Sequence, residues 1–445
     1  MESKNICKVR RILVILTTLG LVFLTACNSQ PHSTKSTLQG TGGTNAVHQR
    51  DKPYLVLISV DGFRWDYMDR YPTPNMDHIA AAGSKAERLL PVFPTLTFPN
   101  HYSIATGLYP AHHGLVNNNF PDPSRDIWYS IKKRETVEDR WFYDGEPIWV
   151  TAETQGMVAA SFFFVGSEAP IKGVSPTHWR SFDNKISGED RVDQILTWMS
   201  EPEETRPHIY TLYFEDVDEH SHWYGPESSE NIGAIGQVDA YIGRLLDGLE
   251  QLPFAEQINI ILVSDHGQGA YLDDPPPFLL ADHVDFEDIT IIDGGTYLNL
   301  HFDRDQPDRA ARIVNTVNQS WQHGRAYLPE NAPAQWQLDS NPRFPDVLLV
   351  AEPGYAVIST SERAGKLNAG AHGWAPEAPA MHGFFVACGP NIKAGVPLGA
   401  VNNIDIYPLM LSILELDGPE IMDGDAANLS APLHTTKGNQ SCLKP

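Results

Sequence analysis

Short apolar runs that end abruptly in polar residues recur along the chain. Four of them span residues 54–60, 209–214, 258–263 and 384–387. Continuous aliphatic and β-branched runs of this length are typical of strands that are buried on both faces of a parallel sheet. The pattern therefore predicts at least four strands of one buried sheet.

Stretches with helical periodicity lie between these runs, for example residues 190–199 and 232–249. Strands that alternate with helices predict an α/β fold, with a doubly wound, mostly parallel sheet and helices on both faces. In such sheets, ligands bind beyond the carboxyl ends of the strands. Residues 272–376 have looser periodicity and a proline cluster at 275–277, which indicates a cap or insertion over that edge.

Acidic and histidine residues stand at or just past the ends of the predicted strands. They are Asp61, Asp218, His222, Asp265, His266 and His382. Each of them alone has an ordinary structural explanation, such as a turn or a buried core histidine. Because they share a place at strand ends, we expect them to converge on one edge of the sheet. Carboxylate and imidazole groups together are the zinc ligands of hydrolytic sites.

The charge balance is acidic, with 32 Lys and Arg residues against 56 Asp and Glu residues in 445 and a net charge of -24. A general nucleic-acid binder usually presents a basic face, so the composition argues against that class. A small anionic substrate stays compatible with this charge, because bound cations reverse the sign of the field locally.

The first residues are typical of a targeting segment. A basic start is followed by an uncharged apolar run, so residues 1–26 are predicted to be a signal peptide. The run ends Leu-Thr-Ala before Cys27, which resembles a bacterial lipobox and predicts a membrane-anchored lipoprotein of the cell envelope. The alternative is ordinary secretion. The polar composition of residues 27–50 predicts a flexible tether, and residues 51–445 are predicted to form the catalytic domain.

Two cysteines, Cys388 and Cys442, remain in the chain after Cys7 leaves with the signal and Cys27 takes the lipid. In an oxidising compartment they can form a disulfide that attaches the C-terminal tail to the core. Two free cysteines are the alternative, and the sequence leaves both open.

One stretch carries a specific resemblance. Residues 93–119 read F-P-T-L-T-F-P-N-H-Y-S-I-A-T-G-L-Y-P-A-H-H-G-L-V-N-N-N. This stretch strongly resembles the nucleotide pyrophosphatase/phosphodiesterase family of the alkaline phosphatase superfamily. Further matching stretches extend the similarity over roughly residues 53–425. They lie around residues 145–149, 166–168, 173–179, 213–226, 264–267 and 382–383.

The resemblance implies a role for each matching residue. Thr97 is the implied nucleophile, and Asn118 donates to a phosphoryl oxygen. Phe98 and Tyr213 flank the base of a nucleotide substrate. One zinc ion is held by Asp218, His222 and His382, and a second by Asp61, Asp265 and His266 with the oxygen of Thr97.

The implied reaction is hydrolysis of phosphodiester or pyrophosphate bonds of nucleotides through a covalent phosphothreonine. A threonine hydroxyl is a weak nucleophile that coordination to a dication activates. Two metals then stabilise the attacking and leaving oxygens.

Other functions stay open beside this one. A phosphomonoesterase or a phosphocholine diesterase of the same superfamily would use the same ligands, and a non-catalytic envelope binding protein would have the same fold. A monoesterase needs a cation for its extra anionic oxygen. Arg180 is the candidate for that cation, and we interpret it as a solvated surface residue. A sulfatase needs a C/S-x-P-x-R stretch, which is absent at Thr97.

Overall fold

The computed structural model describes residues 40–302, 306–338, 341–434 and 441–443. The predicted signal peptide, Cys27 and the first part of the predicted tether lie outside these ranges. Within them, no helix combines the length and the apolar character that crossing a bilayer requires.

The strands, in chain order, are β1 (Tyr54–Val60), β2 (Ser84–Leu90), β3 (Asn119–Asp122), β4 (Ile127–Ser130), β5 (Ala159–Phe162), β6 (His178–Arg180), β7 (Ile209–Phe214), β8 (Ile258–Val263), β9 (Gly269–Ala270), β10 (Phe278–Leu279), β11 (Thr290–Asp293), β12 (Tyr297–His301), β13 (Gly324–Tyr327), β14 (Val347–Ala351), β15 (Val357–Ile358), β16 (Gly370–Ala371), β17 (Phe385–Cys388) and β18 (Leu398–Asn402).

The α-helices are α1 (Tyr67–Arg70), α2 (Pro74–Ala82), α3 (Thr97–Thr106), α4 (Pro110–His113), α5 (Arg134–Val137), α6 (Ile148–Thr154), α7 (Gly188–Met199), α8 (Asp216–Tyr224), α9 (Ser229–Leu249), α10 (Pro307–Ser320), α11 (Ser361–Ala364) and α12 (Ile406–Leu414).

A central eight-stranded sheet organises the described residues, in the order β18-β2-β17-β8-β1-β7-β5-β6. Its strands run parallel except for β17, which is antiparallel to both β8 and β2. The prediction of a mostly parallel α/β sheet is confirmed. The run 384–387, predicted as one more strand of a parallel sheet, forms the antiparallel strand β17, one residue further along.

Strand β1 shows why the continuous apolar runs predicted strands correctly. All seven of its residues are buried. Leu55 and Leu57 pack into one hydrophobic core, whereas Val56 and Ile58 pack into the other. Because successive side chains of a strand point to opposite faces, a strand covered on both faces is apolar almost throughout, and only Ser59 interrupts the apolar run of β1. Helices α3, α6 and α12 contribute to the first core, and α2, α7 and α9 to the second.

A second sheet lies inside the segment predicted as a cap, residues 272–376. It is four-stranded and antiparallel, in the order β11-β12-β14-β13, and α10 packs on β13 and β14. It has a hydrophobic core of its own around Leu298, Val317 and Leu349. It belongs to the same compact unit as the central sheet.

The predicted tether is bound to the protein in the part that the structure describes. The backbone N–H of Thr41 donates to Oε2 of the buried Glu153 at 3.3 Å, and Oδ1 of Asn45 accepts from the N–H of Val158 at 2.8 Å. The side chain of Gln49 is also buried and donates to the carbonyl of residue 155. Residues 41–50 are therefore packed rather than free.

A disulfide joins Cys388, the last residue of β17, to Cys442, with 5.5 Å between the two Cα atoms. Both cysteines are buried in the second core, together with Leu443. The structure thus selects the disulfide from the two alternatives, and the bond fixes residues 441–443 against the sheet.

Candidate active site

Three neighbouring strand ends place acidic residues at one edge of the central sheet. β8, β1 and β7 are adjacent and parallel, with Ser59 paired to Val263 and Val60 to Phe214. Asp61 therefore follows β1 beside the residues that follow β8, and the chain after β7 enters α8 at the same edge. This is the edge at which parallel α/β sheets bind ligands.

The first group of side chains combines Asp61, Asp265 and His266 with Thr97. Nε2 of His266 lies 3.1 Å from Oδ2 of Asp265 and 3.5 Å from Oδ1 of Asp61. The Thr97 hydroxyl is 3.5 Å from the same nitrogen. Thr97 is the first residue of α3, so its oxygen lies at the positive end of the helix dipole. The structure brings together all four residues that the sequence assigned to one metal.

The second group contains Asp218 and His222 of α8. Nε2 of His222 is 3.4 Å from Oδ2 of Asp218. His372 completes the group, with its Nε2 3.7 Å from Oδ1 of Asp218. His266 and His372 stack with their ring centroids 3.8 Å apart, so the two groups are contiguous. Asp218, His222 and His372 have the spacing of a metal site.

The sequence assigned His382, not His372, to this second group, and the structure places it elsewhere. Nε2 of His382 donates to the carbonyl of Pro376 at 3.0 Å, and the residue belongs to neither group. His382 does precede β17 at the same sheet edge, because β17 is antiparallel. His372 escaped prediction because it follows β16, a strand of two residues that leaves no apolar run in the sequence.

Backbone carbonyls fix the tautomer of all three clustered histidines. Nδ1 of His222 lies 2.8 Å from the carbonyl of Gly370, and Nδ1 of His372 lies 2.8 Å from the carbonyl of Thr95. Nδ1 of His266 lies 3.0 Å from the carbonyl of residue 267. A carbonyl only accepts, so each Nδ1 carries the proton. Each Nε2 therefore presents its lone pair to the carboxylates, as a metal ligand does.

His101 differs from these three, although it is also close to the first group. Its Nδ1 donates to the carbonyl of Thr97 at 2.9 Å, so its Nε2 must accept, and the hydroxyl of Ser59 donates to it at 2.9 Å. Burial lowers the pKa of His101, which keeps the ring neutral. Both of its nitrogens are thus used within the protein, and His101 supports the first turn of α3 rather than offering a free lone pair.

The carboxylates of the first group are in an unusual electrostatic state. Burial, and then the neighbouring Asp265 and Asp218, raise the pKa of Asp61, while burial and Asp218 raise the pKa of Asp265. Oδ1 of Asp61 and Oδ2 of Asp265 are buried, and neither has a hydrogen-bond partner among the described residues. Buried charged oxygens without partners are costly, and a cation between them removes that cost. The donor set therefore fits a metal ion.

Gly62 allows the close approach of the two groups. Its φ is +66°, and a Cβ there would lie 3.0 Å from the Cα and Oδ1 of Asp218. Its N–H donates to Oδ1 of Asp265 at 3.2 Å. A side chain at this position would push Asp218 away from the site, which explains the Asp-Gly pair after β1.

Asn118 is oriented by the residue that follows the predicted nucleophile. The backbone N–H of Phe98 donates to Oδ1 of Asn118 at 3.0 Å. The amide oxygen is thereby committed, and its two N–H groups are the donors that remain for a ligand. This orientation suits the predicted donation to a phosphoryl oxygen.

The two predicted aromatic positions differ in the structure. Phe98 is half-buried and packs edge-on against Tyr129. Tyr213 is buried, and its hydroxyl donates to Oδ2 of Asp61 at 2.7 Å. Phe182, which the sequence analysis did not single out, is 42% exposed and has its ring 6.3 Å from that of Tyr213. Of Tyr213 and Phe182, only Phe182 therefore has an accessible ring.

Comparisons with known proteins show the family to which this chain belongs. The model of the type I phosphodiesterase/nucleotide pyrophosphatase family matches residues 55–375. Human ectonucleotide pyrophosphatase/phosphodiesterase family member 1 is 33% identical over 379 residues, which cover 82% of this chain and 40% of that protein. Venom phosphodiesterase CdcPDE of Crotalus durissus collilineatus is 32% identical over 411 residues, covering 91% and 49% of the two chains. The chain thus spans less than half the length of these relatives.

The fold has solved counterparts. Murine ectonucleotide pyrophosphatase/phosphodiesterase 5 superposes with a TM-score of 0.80 at 27% identity, covering 86% of this chain and all of that one. A further structure of that protein, an inactive threonine-to-alanine variant in complex with AMP, superposes with the same TM-score of 0.80. The chain belongs to the type I phosphodiesterase/nucleotide pyrophosphatase family, within the alkaline phosphatase superfamily.

Proposed function

We propose that the protein is a two-zinc phosphodiesterase that hydrolyses phosphodiester or pyrophosphate bonds of nucleotides, with Thr97 as the nucleophile. The observation that carries this proposal is the position of the Thr97 hydroxyl. It lies 3.5 Å from Nε2 of His266, beside buried carboxylate oxygens that have no partner among the described residues. A hydroxyl in such surroundings is placed for activation by a cation.

The proposal includes two ligand sets. Asp61, Asp265 and His266 would hold one ion together with the Thr97 oxygen, a choice supported by the distances from Nε2 of His266 to the other three side chains. Asp218, His222 and His372 would hold the other. Mixed carboxylate and imidazole sets with an open position are those of hydrolytic zinc. When bound, the two ions would stabilise the negative charge on the oxygen that attacks phosphorus and on the oxygen that leaves it.

The residues of the chain perform a double displacement. The Oγ of Thr97 loses its proton to solvent and bonds to phosphorus, while the bond from phosphorus to the leaving oxygen breaks. Water then attacks the phosphothreonine ester, which restores the Thr97 hydroxyl and releases the phosphate-bearing product. Asn118 donates its amide N–H groups to a nonbridging oxygen, which supports both steps.

Diesters are favoured over monoesters by the charge around the site. A monoester brings an additional anionic oxygen that needs its own cation. Nη2 of Arg180 donates to Oε1 of Gln194 at 2.8 Å, and its guanidinium lies over the ring of Trp198. These contacts support Arg180 as a surface residue rather than a phosphate ligand.

A nucleotide is the substrate class that we infer. The solved relative in complex with AMP supports it, as do the two aromatic side chains Phe98 and Phe182. Stacking of a base on an aromatic side chain contributes about 1–3 kcal/mol. Phe182 replaces Tyr213 in this role, because Tyr213 is buried and its hydroxyl is bonded to Asp61, whereas Phe182 is exposed.

A substrate panel on the zinc-loaded protein tests the proposed function. It compares a thymidine monophosphate nitrophenyl ester, ATP, a nitrophenyl monoester and a nitrophenyl phosphocholine. We expect the highest kcat/KM for the nucleotide diester. A higher kcat/KM for the monoester, or for the phosphocholine ester, would assign the site to that class instead.

We also propose that the protein is anchored in the bacterial cell envelope through a lipid on Cys27. The lipobox-like stretch that ends at this residue supports the proposal. Cys27→Ser should release the protein from membranes or stop its processing, and unchanged membrane association contradicts the proposal.

A further inference from the structure

Gln268 lies between the two proposed metal sites. It comes two residues after His266 and directly before β9, and it is fully buried. Its backbone carbonyl accepts from Nη1 of Arg64 at 3.3 Å. Its side-chain Nε2 donates to Oδ1 of Asp218, which belongs to the other site.

The strand that begins after Gln268 connects the same two sites. β9 pairs with β16 in antiparallel register, with Gly370 opposite Ala270. The carbonyl of Gly370 holds Nδ1 of His222, and His372 follows β16. The main chain before Gln268 thus carries the proposed ligands Asp265 and His266 of the first site. The main chain after it forms β9, which pairs with β16, the strand that positions proposed ligands of the second site.

The hydrogen bond from Gln268 determines how Asp218 presents its oxygens. A carboxylate only accepts, so the amide must face it with Nε2. With Oδ1 bound to that amide and 3.7 Å from Nε2 of His372, Oδ2 faces Nε2 of His222 at 3.4 Å. Partners of this kind, which hold a ligand without touching the metal, set the affinity of metal sites.

Packing alone does not account for an amide at this position. Oε1 of Gln268 is buried, and it has no hydrogen-bond partner among the described residues. A buried acceptor without a partner destabilises the fold, and a methionine of similar shape would avoid that cost. What favours an amide here is therefore its nitrogen Nε2, which donates to Asp218.

We infer that Gln268 is a positioning residue that orients Asp218 for the second metal ion and ties this site to the Asp265–His266 segment of the first. The inference rests on the proposed two-metal function. It predicts that loss of the amide weakens the binding of one zinc ion and leaves the other unchanged.

The chain offers a matched control for the substitution. Gln49 is also buried, also donates through Nε2, in its case to a backbone carbonyl at 2.8 Å, and also has a buried Oε1 without a partner among the described residues. Gln49→Met therefore removes the same groups away from the metal sites.

The experiment titrates the metal-free wild type, Gln268→Met and Gln49→Met with zinc, in competition with a chromophoric chelator. Gln268→Met should bind one of the two zinc ions about 10- to 100-fold more weakly, the usual effect of removing such a partner. Gln49→Met should match the wild type. Gln268→Glu, which sets a second carboxylate against Asp218, tests the direction of the hydrogen bond and should alter the same zinc ion.

Wild-type affinities for both ions in Gln268→Met would overturn the inference, and so would an equal weakening of both. A kinetic readout separates positioning from general damage. The zinc concentration for half-maximal turnover should rise in Gln268→Met, and saturating zinc should restore most of kcat. If the wild type binds two zinc ions but cleaves no diester, the proposed function fails, and the zinc titration still decides the role of Gln268.

Discussion

The hydroxyl of Tyr213 donates to Oδ2 of Asp61 across the pair of strands β7 and β1, at 2.7 Å. Burial, followed by the nearby Asp61, raises the pKa of Tyr213, so the phenol stays protonated and stays a donor. We therefore propose that Tyr213, which is only 8% exposed, orients a proposed zinc ligand instead of stacking on a base.

Tyr213→Phe should lower kcat/KM by about 10- to 100-fold, because a ligand loses the partner that orients it. The loss should be the same for a nucleotide diester and for a bis-nitrophenyl diester. Tyr210→Phe is the control, since that buried hydroxyl lies on the same strand and has no hydrogen-bond partner among the described residues. A loss confined to the nucleotide substrate would restore Tyr213 to the base-binding role.

Thr97→Ala should reduce kcat by roughly a thousandfold or more, because the attacking oxygen is removed. Zinc content and the melting temperature should change little, since the side chain is half-buried at the first residue of α3. Elemental analysis and calorimetry beside the kinetics check both parts. Turnover near that of the wild type would exclude Thr97 as the nucleophile.

His372→Ala and His382→Ala should behave differently. The first variant should lose roughly a hundredfold or more in affinity for one zinc ion, with a matching loss of activity. The second should keep both ions and lose only about 1–3 kcal/mol of stability, from its hydrogen bond to Pro376 and its buried position. Zinc loss in His382→Ala, with retention in His372→Ala, would reverse the assignment.

The metal-free protein should become less stable as the pH rises. Because the pKa values of Asp61 and Asp265 are raised in the folded state, the native protein binds more protons than the unfolded chain above the ordinary carboxyl range. Its free energy of unfolding then falls with increasing pH until both groups have ionised. Zinc competes with those protons for the two carboxyl groups, and the competition weakens as the pH rises. The increase in melting temperature on adding zinc should therefore grow between about pH 5 and pH 8.

Asp61→Asn is the comparison for that experiment, since it removes one of the two buried charges. The metal-free variant should lose less stability than the wild type over the same pH range. Parallel pH profiles of the two metal-free proteins would show that these carboxyl groups do not control the effect.

Cys442→Ser should destabilise the oxidised protein by roughly 4 kcal/mol, the chain-entropy value for a disulfide across a separation of 54 residues. Chemical denaturation of the oxidised protein measures the loss. Reduction of the wild type should give a similar value and is the internal control. If Cys442→Ser and the oxidised wild type unfold at the same denaturant concentration, the bond contributes nothing.

The strands of the central sheet could be predicted because both of their faces are covered. An element such as β8 has six consecutive buried residues, five of them aliphatic, and only Asn259 is polar. The proposed ligands Asp61 and Asp265 could be singled out for the same reason, since Asp61 directly follows β1 and Asp265 stands two residues after the end of β8. The long helix α9 was predicted within three residues at its start, where Ser228 caps it.

The remaining features of the site depend on contacts between distant segments. His372 reaches the site because β16 pairs with β9, and two-residue strands leave no periodic signal. The role of Tyr213 depends on the register that sets it beside Ser59, one residue before Val60. Neither the pairing nor the register can be read from composition or periodicity. The family resemblance therefore assigned His382 to the metal site and Tyr213 to the base of the substrate.

If Cys27 carries a lipid, as proposed, the bonds from Thr41 and Asn45 to the folded core limit the distance between that core and the membrane. With a lipid on Cys27, only the thirteen peptide units up to Gly40 span the gap, which is at most about 47 Å even when fully extended. A tether free to residue 50 would reach about 83 Å. The active site would thus work within a thin layer next to the bilayer, and its substrates would have to diffuse to that surface.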